Sequence, residues 1–139
     1  MYTELTLTAR GNIYPSRFVR LDTSTEFGAV QAGDNTEIIG VAQAGTNLPD
    51  MTGWVSGTYA AQAGQQVQVA GPDSVCLVEA GATITPGQFL KSDSVGRAVP
   101  IATTGTTIQN YGAIALQGGS AGDKIKVLVV IGKVRPALT

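Results

Sequence analysis

Histidine is absent from all 139 residues, and cysteine and tryptophan occur once each. Without histidine the chain lacks the commonest general acid–base and the commonest metal ligand. A lone Cys76 cannot form an internal disulfide, so the fold does not depend on an oxidising compartment. Charged residues make up only 14% of the chain, against about 25% in ordinary soluble domains. The net charge of −1 leaves no cationic surplus to neutralise phosphates, which argues against nucleic acid as a partner. No apolar run approaches the ~20 residues of a membrane-crossing helix. The opening MYTELTLTAR has neither the cationic start nor the apolar stretch of a signal peptide, so synthesis in a cytoplasm is expected.

Apolar residues reach 43% and glycine 18 positions, enough for one core and many tight turns. No long window carries apolar residues at helical spacing without a Gly or Pro inside it. Short alternating runs occur throughout instead. Leu5 and Leu7 alternate with Thr6 and Thr8, and Val67 and Val69 alternate with glutamines. SVCLVEA (74–80) is nearly continuous apolar, as for a strand buried on both faces. KIKVLVVIGKVR (124–135) is the longest, alternating first and turning solid at Val127–Ile131. Gly-, Pro-, Asp- and Ser-rich stretches separate these runs about every ten residues. The expectation is an all-β chain folded as a compact barrel or sandwich.

The chain also repeats itself. IYPSRFVRLD (13–22) and ITPGQFLKSD (84–93) match at a constant offset: Ile13 with Ile84, Pro15 with Pro86, Phe18 with Phe89, Val19 with Leu90, Arg20 with Lys91, and Asp22 with Asp93. A glycine-bearing strand follows each copy, with Gly40 matching Gly112. Two related modules follow from this, joined as one barrel or as two fused sheets within a single domain over 1–139. Residues 1–12 then form an N-terminal strand or an arm that pairs with a neighbour, 13–45 the first module, 46–83 an insertion with central strands, and 84–135 the second module.

Reactive constellations do not emerge. Cys76 sits between Val75 and Leu77 as a small core residue. Asp34, Asp73, Asp93 and Asp123 fall at turns, where carboxylates accept nearby backbone N–H bonds. Residues 22–26 (DTSTE) cluster oxygens without an EF-hand pattern, so no metal is assigned. QGGSAGDK (117–124) lacks the Gly-Lys-Ser/Thr ending and the helix of a phosphate loop. Lys124, Lys126, Lys133 and Arg135 read as a solvated strand face. No catalytic residue, cofactor or metal is expected, and the chain reads as a non-enzyme. Trp54 and Tyr59 could close a barrel end, anchor a protein contact or carry a sugar. With Tyr2, Leu5 and Leu7 of the N-terminal strand, they are the interface candidates.

Several of these elements together resemble the capsid decoration, or head cement, proteins of tailed bacteriophages. The segments that carry the likeness are Gly87–Leu90, Asp93 with Gly96, Gly112–Ala115 and Ala121–Val129, with Asp22, Gly28 and Ile39–Ala42 as a looser first copy. The likeness spans residues 13 to 131. It implies a β-barrel or β-tulip-like virion protein on the outer face of an icosahedral head. Such a protein clamps neighbouring major capsid proteins of the expanded capsid, as a homo-oligomer with a trimer favoured over a dimer. A tail or baseplate β-module and a carbohydrate-binding module on the virion surface are the other readings. Neither nucleic acid nor membrane is an expected partner.

Overall fold

The computed structural model describes residues 4–43, 63–105 and 107–134. Ten strands and no helix occupy them: β1 (Glu4–Ala9), β2 (Phe18–Leu21), β3 (Gly28–Gln31), β4 (Gly40–Ala42), β5 (Gln66–Ala70), β6 (Val75–Glu79), β7 (Phe89–Ser92), β8 (Ala98–Pro100), β9 (Gln109–Ala115) and β10 (Lys124–Val134).

The first five strands close a barrel in the order β1-β3-β2-β4-β5. Closure uses an antiparallel ladder from Glu4↔Ala70 to Thr8↔Gln66 and a parallel pair, Thr8↔Gly28 and Ala9↔Ala29. Period-two alternation decides what goes inside. Leu7, Ala9, Ile13, Val19, Ala29, Ala42, Val67 and Val69 form the inner cluster. The N-terminal strand is therefore a stave of its own barrel, not an arm. Leu7 is 7% exposed in that core, which corrects its assignment as an interface residue.

The remaining strands form a second sheet, β6-β10-β9-β7-β8. With β6 to β10 matched in turn to β1 to β5, its order is that of the first barrel. The equivalence extends to single bonds. Arg10 N–H donates to Ala29 C=O at 2.9 Å, and Gly81 N–H to Ala98 C=O at 2.8 Å. Gly64 N–H donates to Ala9 C=O at 2.7 Å, and Gly122 N–H to Ala80 C=O at 2.8 Å. The two copies differ in closure: one parallel bridge, Ala80↔Ala98, stands where the first copy has two paired residues. The sheet boundary falls between β5 and β6, inside the segment read from sequence as insertion and central strands. β6 is not buried on both faces either, since Val75 is 55% exposed and Leu77 43%. β10 likewise keeps alternating, with Ile125, Val127 and Val129 inside.

One core joins the copies. Phe18, Ala32, Ile38 and Val41 lie outside the first barrel and belong to the cluster that fills the second, with Val78, Leu90, Ala113 and Val127. Phe18 N–H donates to Gly96 C=O at 2.8 Å, and Glu79 N–H to Ser16 C=O at 2.8 Å. Arg17 spans the junction with Nη1 on Val95 C=O at 2.8 Å and Nη2 on Glu79 Oε2 at 3.2 Å. Asn35 Oδ1 accepts from Asn110 N–H at 2.9 Å, and Asn110 Nδ2 donates to Asn35 C=O at 2.8 Å. Bonds of this density fix the two copies relative to each other.

Asp22 and Asp93 end their strands alike, each carboxylate accepting the N–H two residues on. The Ser24 N–H and hydroxyl bonds hold the Asp22 carboxyl below its ordinary pKa. A carboxylate depressed in the folded state contributes stability above its unfolded pKa and loses it as pH falls through the folded one. Asp22→Asn should therefore flatten the loss of thermal stability below about pH 4. A Tm profile between pH 5 and 2.5 that parallels wild type would contradict this.

A candidate docking face on the second sheet

The outward face of the second sheet carries an apolar row set by strand register. Val75 lies opposite Leu128, Leu128 opposite Ile114, and Ile114 opposite Phe89. Ile101 continues the row, its N–H donating to Phe89 C=O at 3.1 Å. Strands spaced about 4.8 Å apart make this row about 19 Å wide. Phe89 is 40% exposed and packs against the Tyr111 ring, with centroids 4.8 Å apart. Leu77 flanks the row on β6. Of the ten large apolar side chains exposed among the described residues, only Leu21 and Phe27 belong to the first barrel. Three of the ten, Val75, Leu77 and Phe89, stand together on this face, and an apolar patch of that kind marks a surface that another molecule covers.

The first barrel shows what such a face does when covered. Phe18 pairs with Val41 as Phe89 pairs with Ile114. Ala32 N–H donates to Phe18 C=O as Ile101 N–H does to Phe89 C=O. Phe18, Val41 and Ala32 are all buried, beneath the second copy. At one position of the β1/β6 repeat the first barrel is polar where the second copy is apolar, Thr6 against Leu77. Thr6 Oγ1 bonds Gln68 Oε1 at 3.2 Å at the place held by Leu77 and Lys126 in the second copy.

Cations edge the face. Lys124 and Lys126 are exposed on β10, and no carboxylate among the described residues lies within ion-pair distance of either. Lys133 pairs with Glu37 at 2.9 Å and holds the Glu37 carboxyl below its ordinary pKa. Among the described residues, no group of three His, Cys, Asp or Glu side chains gathers as metal ligands would. Burial pushes the Cys76 thiol up to about 11 against an opposing hydrogen bond from Gln43. At pH 8 only about 0.1% of that thiol is ionised. Maleimide should accordingly react about two hundredfold more slowly with Cys76 than with an exposed cysteine. Labelling at the rate of a free thiol would contradict this.

Of the interface candidates, Tyr2, Trp54 and Tyr59 lie outside the described residues. Leu5 sits on β1 opposite Val69, and Leu7 points into the first barrel. The row of Val75, Leu128, Ile114 and Phe89 was not singled out by sequence. Its signal is the contrast between Thr6 and Leu77 at one repeat position.

No family model matches the chain, and no curated protein matches it. Among solved structures it is similar to the N base of the head fiber gp8.5 of bacteriophage phi29, with a TM-score of 0.62 and 20% identity. The alignment covers 97% of this chain and 99% of that one. The likeness is one of fold and extends over the whole of both chains.

Proposed function

We propose that this chain is a non-enzymatic structural protein of a phage virion. It docks on the outer surface of the icosahedral head and clamps neighbouring major capsid proteins. The observation that carries the reading is the apolar face of the second sheet, on a scaffold whose whole length corresponds to a phage head fiber base. Rigid coupling of the barrel to the second sheet suits a clamp, which has to resist displacement between the subunits it bridges. A thiol held protonated and the sparse charge suit a role without chemistry. Oligomers, with trimers favoured over local threefold axes, multiply modest contacts into avidity.

The test is the copy number of this chain in purified particles, by quantitative mass spectrometry against the major capsid protein. A stoichiometric ratio, on the order of one trimer per local threefold axis, is the expected result. A handful of copies per particle would move the chain to the tail or portal. Absence from particles would overturn the structural role.

A further inference from the structure

The edge of β6 carries a second feature, in the backbone groups of residues whose side chains belong to or flank the apolar row. Bond parity fixes which backbone groups of β6 face β10. Val129 N–H donates to Ser74 C=O at 2.8 Å, and Ala80 N–H to Asp123 C=O at 2.7 Å. In an antiparallel ladder alternate residues bond to the same neighbour, so residues 74, 76, 78 and 80 turn toward β10. Val75, Leu77 and Glu79 turn their N–H and C=O groups the other way. Glu79 finds Ser16 C=O there at 2.8 Å. Val75 and Leu77 face a groove of about 560 Å³ between β6 and the first barrel, whose opposite wall is Pro15, Ser16 and Gln43. That wall is fixed, because Ser16 N–H donates to Ala42 C=O at 2.8 Å and Gln43 N–H to Gln68 C=O at 2.7 Å.

Native sheet edges are ordinarily blunted by lysine, proline or a bulge on the edge strand itself. β6 has none of these: its residues are Val75, Cys76, Leu77, Val78 and Glu79, in unbroken register with β10. The exposed cations stand one strand further in, with Lys126 opposite Leu77 and Lys124 opposite Glu79. Glu79 is already engaged by Arg17. A strand added outside β6 would lie about 9.6 Å from β10, two strand spacings. Across that gap a lysine stem lying over Leu77 meets a carboxylate reaching back from the added strand.

We propose that the β6 edge is a strand-addition site for an extended, acidic segment of another protein. Main-chain bonds from Val75 and Leu77 supply the register, and Lys124 and Lys126 select carboxylates at alternate positions. The same charges decide against a second copy of this chain, since β6 paired with β6 would set the lysines of both copies near one another without counter-charge.

The experiment is a titration of the full chain, followed by its backbone amide resonances, with a blocked octapeptide of alternating glutamate and valine. Saturable shifts centred on the Val75 and Leu77 amides are expected, at least tenfold weaker in affinity for the analogue with lysine in place of glutamate. Leu77→Pro removes one outward N–H and no bond to β10, so it should abolish binding while the sheet survives, as edge prolines do. Where that variant does not fold, the Lys124→Glu, Lys126→Glu double variant decides the matter by preferring the lysine peptide. Shifts located elsewhere, none at millimolar peptide, or equal affinity for both peptides would overturn the site. Shifts at Val75 and Leu77 that grow with protein concentration alone would assign the edge to a second copy and overturn the acidic partner. None of these outcomes depends on binding to a phage head, so the docking role stands or falls separately.

Discussion

Gly40→Ala should cost at least about 3 kcal/mol of folding stability, while the same change at Gly112, its match in the sequence repeat although strand register sets Ala113 in the place of Gly40, costs about 1 kcal/mol. The difference lies in what each new Cβ meets. At Gly40 it overlaps the Ala70 carbonyl oxygen and comes within 2.7 Å of Val69 Cγ1. The Ala70 carbonyl belongs to β5, which pairs with β4 through Val41↔Ala70 and with β1 through Glu4↔Ala70. It cannot retreat without opening a closed barrel. At Gly112 the nearest atoms are Ile38 Cδ1 and Cγ2, at 2.8 and 2.9 Å. Ile38 Cβ follows at 3.2 Å, so a buried, β-branched side chain has to shift, which is still easier than moving a ladder carbonyl. Thermal unfolding should show a Tm loss of about 10 °C or more for Gly40→Ala and about a third of that for Gly112→Ala. Equal losses would show that the barrel relaxes as easily as a side chain.

The second large effect comes from two phenylalanines at one repeat position. Phe18→Ala should destabilise the protein by about 3–5 kcal/mol, the usual cost of emptying a fully buried aromatic site. Phe18 is 0% exposed in the core that both copies share, so its loss leaves a cavity under Val41, Val78 and Leu90. Phe89→Ala should cost about 1 kcal/mol, mostly the contact with Tyr111. Its larger consequence is expected in docking. An aromatic anchor at the centre of an interface typically contributes more than about 2 kcal/mol, or about thirtyfold in affinity. The paired measurement is Tm together with occupancy of heads that lack this chain. Phe18→Ala should lower Tm by about 10 °C or more; Phe89→Ala should lower it by only about 3 °C and lower occupancy about thirtyfold. Full occupancy by a folded Phe89→Ala variant would remove the apolar row from the docking surface.

These phenylalanines also show how far the sequence could be read. Strand class was legible because alternation is local: Leu7 with Ala9, or Val67 with Val69, marks a face whatever the surroundings. The repeat was legible for β2 and β7, where turn chemistry restricts the choice at Pro15, Asp22, Pro86 and Asp93. It was not legible for β1 and β6, which share a place in the topology but only Ala9 and Ala80 in identity. Nothing local separates Phe18 from Phe89, because the cover over Phe18 comes from residues about sixty or more positions away. The apolar run of β6 was misread for a related reason. Val75 and Leu77 look like core residues, and their place on the outward face of the second sheet, opposite buried Val78, leaves them open to solvent. Local pattern states which residues want burial, and tertiary arrangement states which obtain it.

The core shared by both copies also orders events in time. The cluster inside the first barrel draws only on residues between Leu7 and Val69, so that barrel can close without the second. The second cluster needs Phe18, Ala32, Ile38 and Val41 as its floor. On a ribosome, where the N-terminal part emerges first, the finished barrel becomes the template on which the later strands condense. Pulse-labelled hydrogen exchange during refolding should protect β1–β5 before β6–β10. An emerging chain that stalls ahead of β10 would expose the Phe18 floor, leave β6 without its partner and open one edge of β9, the form most prone to clump with its neighbours.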